Sequence, residues 1–238
     1  VLLGQNVNSY HYRGLDFPGL LGELAAHFPD KRFKFITSHP YDYNDELVRT
    51  IADHKNICEY IHLPMQSGSD SMLKKMHRKY TAGRYLDKIR MTREILENPV
   101  ITTDIMVGFP GETEDDYKKT MDMAETIQFD DAFMYRYSSR RFTLGSYMEA
   151  PPEDIRLKRL KHLIKLQNSI KMERTRSLIG MEAEVLIERP SRKSEHDFVG
   201  RDRGERMVVV KGKQMPGEIC RVRITDISGI TPIGIKED

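Results

Sequence analysis

Apolar residues in the first 150 positions of the chain recur with two alternating periods. Five short runs are apolar throughout or at every second position and read as strands: "VLLG", "RFKFIT", "CEYIHLP", "VITTDIMVGFP" and "DAFMYRYS". Between them, apolar residues three and four apart predict helices. These are "DFPGLLGELAAHF", with Leu20, Leu21 and Leu24 on one side, "YNDELVRTIADH", "SDSMLKKM", "TAGRYLDKIRMTREILE" and "TEDDYKKTMDMAETIQ". Asn44 or Asp45 is placed to cap the second, and Thr113 with Asp116 forms a capping-box pattern before the last. Repeated strand–helix units with short connections predict an α/β fold, a parallel sheet or barrel with helices outside. Five strands are too few to close an eightfold barrel, so an incomplete barrel is expected, with its first strand upstream of residue 1.

A long helix, "PEDIRLKRLKHLIKLQNSIKMERTRSLIG", forms the join to a different pattern. "EAEVLIE", "FVGR", "RMVVVKG", "EICRVRITDI" and "ITPIGIK" are short strand-like runs split by Gly, Pro and Ser, with no helical spacing. They predict a small all-β barrel. The expected domains are residues 1–176 and 177–238.

Composition narrows the class without naming a partner. Apolar residues make up 39% and charged residues 31% of the 238 residues, which suits a soluble globular protein able to bury a substantial core. Cys58 and Cys220 lie far apart in sequence, so neither a disulfide framework nor metal-ligand spacing is present. No apolar run approaches the roughly 20 residues of a membrane helix. The chain opens without Met and without a basic leader, so a cytoplasmic protein and a piece of a longer polypeptide are expected. Overall charge is balanced, with 38 basic and 36 acidic groups, but it is unevenly spread. Arg156–Arg176 carries eight Lys/Arg against one acid, and Arg189–Arg223 carries ten against five. Such crowding in a helix and a small barrel fits either a phosphate-backbone footprint or a solvated helix face. Phe198 is the only aromatic residue of the β module, so base stacking there cannot be extensive.

In βα folds chemistry gathers at the carboxyl ends of the strands. Five polar or glycine-rich stretches fall there: Gln5–Asn8, Ser38–Pro40, Pro64–Asp70, Gly108–Glu112 and Ser138–Arg141. In "GFPGET", Gly108 and Gly111 permit close backbone approach and Phe109 offers a flat apolar face. The following helix points its amides at the loop, and the same residues also suit an ordinary tight turn. Gln66, Ser67 and Ser69 can hold ribose hydroxyls or a carboxylate, or cap the helix that begins near Asp70.

"LLGQNVNSY", "TSHP", "HLPMQSGSDSMLKKMHRKYT" and "TTDIMVGFPGETEDDY", in this order and spacing, resemble the radical S-adenosylmethionine (SAM) methylthiotransferases. "GQNVNSY" resembles their MiaB-type branch, which adds a methylthio group to isopentenyladenosine beside the tRNA anticodon. The β module, with "SEHDFVGRDRGERMVVV" and "PGEICRVRITDI", is similar to their TRAM domain, an RNA-binding barrel. The resemblance implies a partial (β/α)6 radical-SAM barrel lacking its first strand, followed by a TRAM barrel. It implies SAM and two 4Fe–4S clusters as cofactors, the cluster cysteines lying upstream of residue 1 in an N-terminal part of the same enzyme. It implies the tRNA anticodon stem-loop as partner and no membrane.

No catalytic side chain is expected in this chain, since the cofactors carry the radical chemistry. Gln66, Ser67 and Ser69 are assigned to the ribose or amino-acid end of SAM. Arg78, whose guanidinium suits a carboxylate, goes to the same end or to the surface. Val107, Gly108 and Phe109 would flank the adenine. Asp104 either faces a polar ligand group or is paired in the core. Gln5, Asn6, Asn8, Ser38 and His39 are placed on the substrate side, His39 as a hydrogen-bonding group. Tyr137, Ser138, Ser139 and Arg140 would reach the RNA, as would Arg201, Arg203 and Arg206. "RRFTLG" departs from the Pro–Gly pair the family often carries there. Three other readings remain: the same machinery acting on a ribosomal protein or threonylcarbamoyladenosine tRNA, a non-catalytic RNA-binding fragment, and a phosphate-binding barrel enzyme suggested by "GFPGET" alone.

Overall fold

The computed structural model describes residues 1–36, 38–139, 144–194 and 196–237, without the side chains of 144 and 146. In its first part, strands β3 (Tyr60–His62), β4 (Val100–Val107) and β5 (Asp131–Arg136) pair in parallel in that order. Single parallel bridges continue the array outward, Ile57 to Phe33 and Phe35 to Leu2. The five runs read as strands thus lie side by side in chain order, an open parallel array. A two-stranded hairpin, β1 (His11–Tyr12) and β2 (Leu15–Asp16), precedes the first helix. Its tight turn places Arg13 and Gly14 at φ 49° and 83°, and the sequence reading missed it.

The helices α1 (Phe17–His27), α2 (Asp45–Asp53), α3 (Asp70–Lys75), α4 (Ala82–Ile95), α5 (Glu114–Ile127) and α6 (Glu153–Arg176) match the periodic segments. Asn44 caps α2 by accepting from the Leu47 amide, and Thr113 and Asp116 close a full capping box on α5. On α1 the buried stripe is Phe17, Leu21 and Ala25, with Leu20 and Leu24 half-buried. Phe17 meets Phe35 edge-on at 5.1 Å, locking this helix to the sheet.

Beyond α6, strands β6 (Glu182–Pro190), β7 (Phe198–Arg201), β8 (Met207–Lys211), β9 (Ile219–Ser228) and β10 (Thr231–Lys236) close a five-stranded barrel. Val185, Ile187, Val208, Val210, Val222 and Ile224 fill it. One end of this barrel is docked on the amino ends of the parallel strands. The Glu59 amide donates to the Arg203 carbonyl (2.9 Å), Arg203 pairs with Glu59 (3.1 Å) and Arg32 pairs with Glu184 (2.8 Å). Lys34 binds Glu205. Gly204 sits so close to β4 that a Cβ there would fall 2.2 Å from Val100 Cγ2, so a larger residue would have to push the Val100 side chain or the loop aside.

Candidate functional site

The carboxyl ends of β3, β4 and β5 open into a cleft of about 1200 Å³ lined by Gln66, Arg78, Asp104, Met106, Phe109 and Tyr137, among others. It exceeds the ~300–1,000 Å³ of an ordinary small-molecule pocket. Its construction begins where β3 stops. Between His62 and Gln66 the chain carries one residue more than the stretch of β4 it pairs with, Thr102 to Ile105. It is held by side chains: Tyr85 donates to the Leu63 carbonyl (2.7 Å), Tyr80 to that of Pro64 (3.0 Å), and Thr103 accepts from the Met65 amide (2.8 Å). Gln66 then rejoins the sheet, its amide on the Asp104 carbonyl (2.8 Å) and its carbonyl accepting from Met106 (2.9 Å). It does so at φ 64°, a left-handed conformation that side-chain-bearing residues adopt only when their surroundings impose it.

Asp104 points into the cleft with His62 Nε2 3.5 Å from its carboxylate, while His62 Nδ1 meets Thr102 Oγ1 at 3.0 Å. Arg78 is half-buried; its Nε is shut from solvent without a partner, and no carboxylate pairs with it among the described residues. Tyr137 Oη is likewise buried and unpartnered, and the Tyr137 ring meets Phe109 edge-on at 5.3 Å. Two orphaned donors beside an apolar wall are what a ligand bearing a carboxylate and a flat ring would satisfy. Ser138 also lines the cleft.

The loops on the amino-terminal side form an adjoining cluster. Asn8 is buried and clips the two together, donating to the His39 carbonyl (3.1 Å) and accepting from the His39 amide (2.9 Å). Asn6 donates to Asp42 (2.7 Å), leaving Asn6 Oδ1 buried without a partner, as is Ser38 Oγ. The His39 ring lies 5.9 Å from that of Tyr80 and accepts from the Tyr41 amide. Burial and then the nearby Arg78 charge push His39 below its ordinary value, so it stands neutral as a hydrogen-bonding group. Gln5 is exposed.

Other expected ligand residues are turned away from the cleft. Ser67 and Ser69 are buried against α5: Ser67 Oγ meets Thr120 Oγ1 at 3.1 Å and Ser69 donates to Asp116. Burial works against the Asp116 charge, yet donors from Ser69, Ser71 and Thr113 outweigh it and hold the carboxyl well below the usual range. Val107 lies in the core. Gly108, at φ 73°, gives its amide to Glu112 (2.7 Å) and lies under Arg156 of α6. Arg140 lies outside the described residues. Arg201 bonds Glu188 and the Glu205 carbonyl, while Arg203 and Arg206 face the parallel strands, so this trio sits at the docked end.

The sequence reading overlooked Met76, Met106, Tyr135 and Met148 in the cleft wall. Met106 was findable, two residues beyond Asp104 and hence on the same strand face. It also overlooked the pin beneath the loop. Arg159 pairs with the fully buried Glu112 side chain at 2.7 Å and with Glu114 at 2.9 Å. Half of the α6 basic run is therefore structural: Arg156, Arg159, Lys171 and Arg174 are ion-paired, whereas Lys158, Lys161, Lys165 and Arg176 face outward.

A parallel βα array with its cleft at the strand carboxyl ends agrees with the family match. Residues 1–124 match the radical SAM superfamily and residues 176–229 match the TRAM domain. The chain belongs to the radical SAM superfamily, whose members use SAM with a 4Fe–4S cluster. Among curated proteins it is similar to tRNA-2-methylthio-N(6)-dimethylallyladenosine synthases. That of Chlorobium luteolum is 44% identical over 99% of this chain and 54% of the relative. Those of Moorella thermoacetica (43%, covering 94% and 52%) and Azobacteroides pseudotrichonymphae (42%, covering 98% and 54%) follow. The chain thus spans about half the length of these relatives.

The residues present fit SAM but not a cluster. Arg78, Asp104 and Phe109 offer a carboxylate partner, an ammonium partner and a ring face around one cleft. No group of three His, Cys, Asp or Glu able to hold a metal occurs among the described residues. Cys58 is buried, and burial together with Glu205 pushes its thiol up to about 12, so it stays protonated where a cluster needs thiolate. Cys220 is buried within the β module.

Proposed function

We propose that this chain is the carboxyl-terminal portion of a radical SAM tRNA methylthiotransferase, adding a methylthio group to C2 of N6-isopentenyladenosine next to the anticodon. The observation that carries the reading is the cleft at the strand ends, with Arg78 Nε and Tyr137 Oη buried and unsatisfied beside Asp104 and Phe109. In this reading Arg78 takes the SAM carboxylate, Asp104 and Gln66 its polar groups, and Phe109 the adenine. Asn6, Asn8, Ser38 and His39, with Tyr137 and Ser138, surround the substrate base. When bound, SAM supplies one-electron C–S cleavage and hydrogen abstraction from an unactivated carbon. This chain binds, orients and keeps water out.

The ligands of the clusters, two in this reading, are assigned to the other half of the full-length protein. The TRAM match and the relatives' printed names support tRNA as partner and a cytoplasmic location. No described helix is long and apolar enough to cross a membrane. The test is nucleoside analysis of tRNA from cells lacking the gene. Loss of the 2-methylthio nucleoside with accumulation of isopentenyladenosine, restored by the full-length gene, is expected. An unchanged nucleoside profile overturns the reading.

A further inference from the structure

The β barrel has two ends with opposite electrostatic fates. At the docked end, Arg201, Arg203 and Arg206 are all half-buried and ion-paired, to Glu188, Glu59 and Asp202. Arg203 Nη2 also donates to the Ile57 carbonyl (3.2 Å). These donors are consumed in joining the barrel to the parallel strands.

The opposite end is built from the β6–β7 connection and the turn after β8. β6 runs outward to Pro190, which pairs with Phe198, and Phe198 pairs in turn with Val210. The Asp197 carboxylate accepts from the Gly212 amide (3.2 Å), tying the two connections together. This tip carries Arg189, Arg192, Lys193, Lys211 and Lys213, every one exposed and none ion-paired among the described residues. The acids in the two connections are Glu195, Asp197 and Glu218, and Glu218 is engaged by Lys236, so the tip is a positive patch. Phe198 is half-buried against the module's core and offers no stacking platform.

We propose that this tip is the surface on which the β module grips the RNA phosphate backbone, and that the arginines of the 201–206 loop set its position instead of touching RNA. The inference rests on the reading of the protein as tRNA-modifying and deepens it. Exposed, unpaired cations lose little on meeting phosphates, whereas Arg203 would have to abandon Glu59. With no aromatic platform, the contact is electrostatic and steeply salt-dependent.

The test titrates an unmodified tRNA transcript into the intact protein across a salt series. Replacing the five tip residues (Arg189→Gln, Arg192→Gln, Lys193→Gln, Lys211→Gln, Lys213→Gln) should weaken binding about tenfold or more at moderate salt. It should also reduce the log–log salt slope by about two to three. The pair Arg201→Gln with Arg203→Gln should leave the slope unchanged, and circular dichroism checks folding of both variants. A tip variant with an unaltered slope overturns the assignment while leaving the tRNA reading intact. So does a slope reduced only in the arginine pair. Absence of any tRNA affinity in the unsubstituted protein sinks the tRNA reading as well. Tip-dependent binding to phosphatidylserine vesicles with no effect on tRNA also counts against the proposal.

Discussion

Arg78 and Arg203 are both half-buried arginines, at opposite ends of the same parallel sheet. Arg203 has Glu59 at 3.1 Å and a backbone carbonyl besides; Arg78 has neither, although the Nε of each is buried without a partner. A buried cation without a counter-charge is unfavourable to a folded protein unless something else supplies the missing acceptor. The comparison separates two uses of one residue type. At the amino end of the sheet an arginine joins domains; at the carboxyl end, in the proposed reading, it waits for a ligand carboxylate.

The strongest case of the partnered kind is Arg159, whose side chain and that of Glu112 are 8% and 0% exposed. Arg159→Gln leaves Glu112 buried and unpaired and should lower the unfolding free energy by about 3–5 kcal/mol. Chemical denaturation measures this, and a loss near zero would deny the pin beneath the Gly108 loop. Arg203→Gln removes a more exposed pair and should cost about 1 kcal/mol, read as a small fall in midpoint with SAM affinity unchanged. A change in SAM affinity would break the division between the two ends.

The smallest expected effect joins His39 to Arg78. Burial first, then Arg78 and Lys79 lower the His39 pKa from 6.5, while Asp42 raises it. Because the folded form binds the proton later than the unfolded one, stability falls as pH drops below about 6.5 and levels once His39 is protonated. Arg78→Gln should move the His39 NMR titration midpoint upward, and a fixed midpoint would place Arg78 away from it.

Much of the fold was legible because each apolar run agreed with its flanking cap or turn: Asn44 before α2, Thr113 and Asp116 before α5, Gly and Pro between the β strands. The location of the cleft was legible too, since parallel strands expose their carboxyl-end loops. Which side chains face it was legible only in part: Gln66, Arg78, Asp104, Phe109, Tyr137 and Ser138 line it, whereas Ser67 and Ser69 do not. Ser67 and Ser69 flank a glycine in a tight segment whose rotation is set by α5, and nothing local shows that Thr120 and Asp116 claim them. The charge of the 201–206 loop was visible, but its partners Lys34 and Glu59 lie more than 140 residues earlier. The Arg159–Glu112 pair was hidden in the same way inside a basic run.

The central claim is that the strand-end cleft receives SAM through Arg78. Titration calorimetry of S-adenosylhomocysteine, which keeps the carboxylate, ammonium and adenine, tests it on the intact protein and on Arg78→Gln. Saturable binding weakened tenfold or more, about 1.5–3 kcal/mol for a lost charged hydrogen bond, with the ligand-free melting temperature equal or higher, is the expected result. Equal affinity of the two proteins would contradict the account.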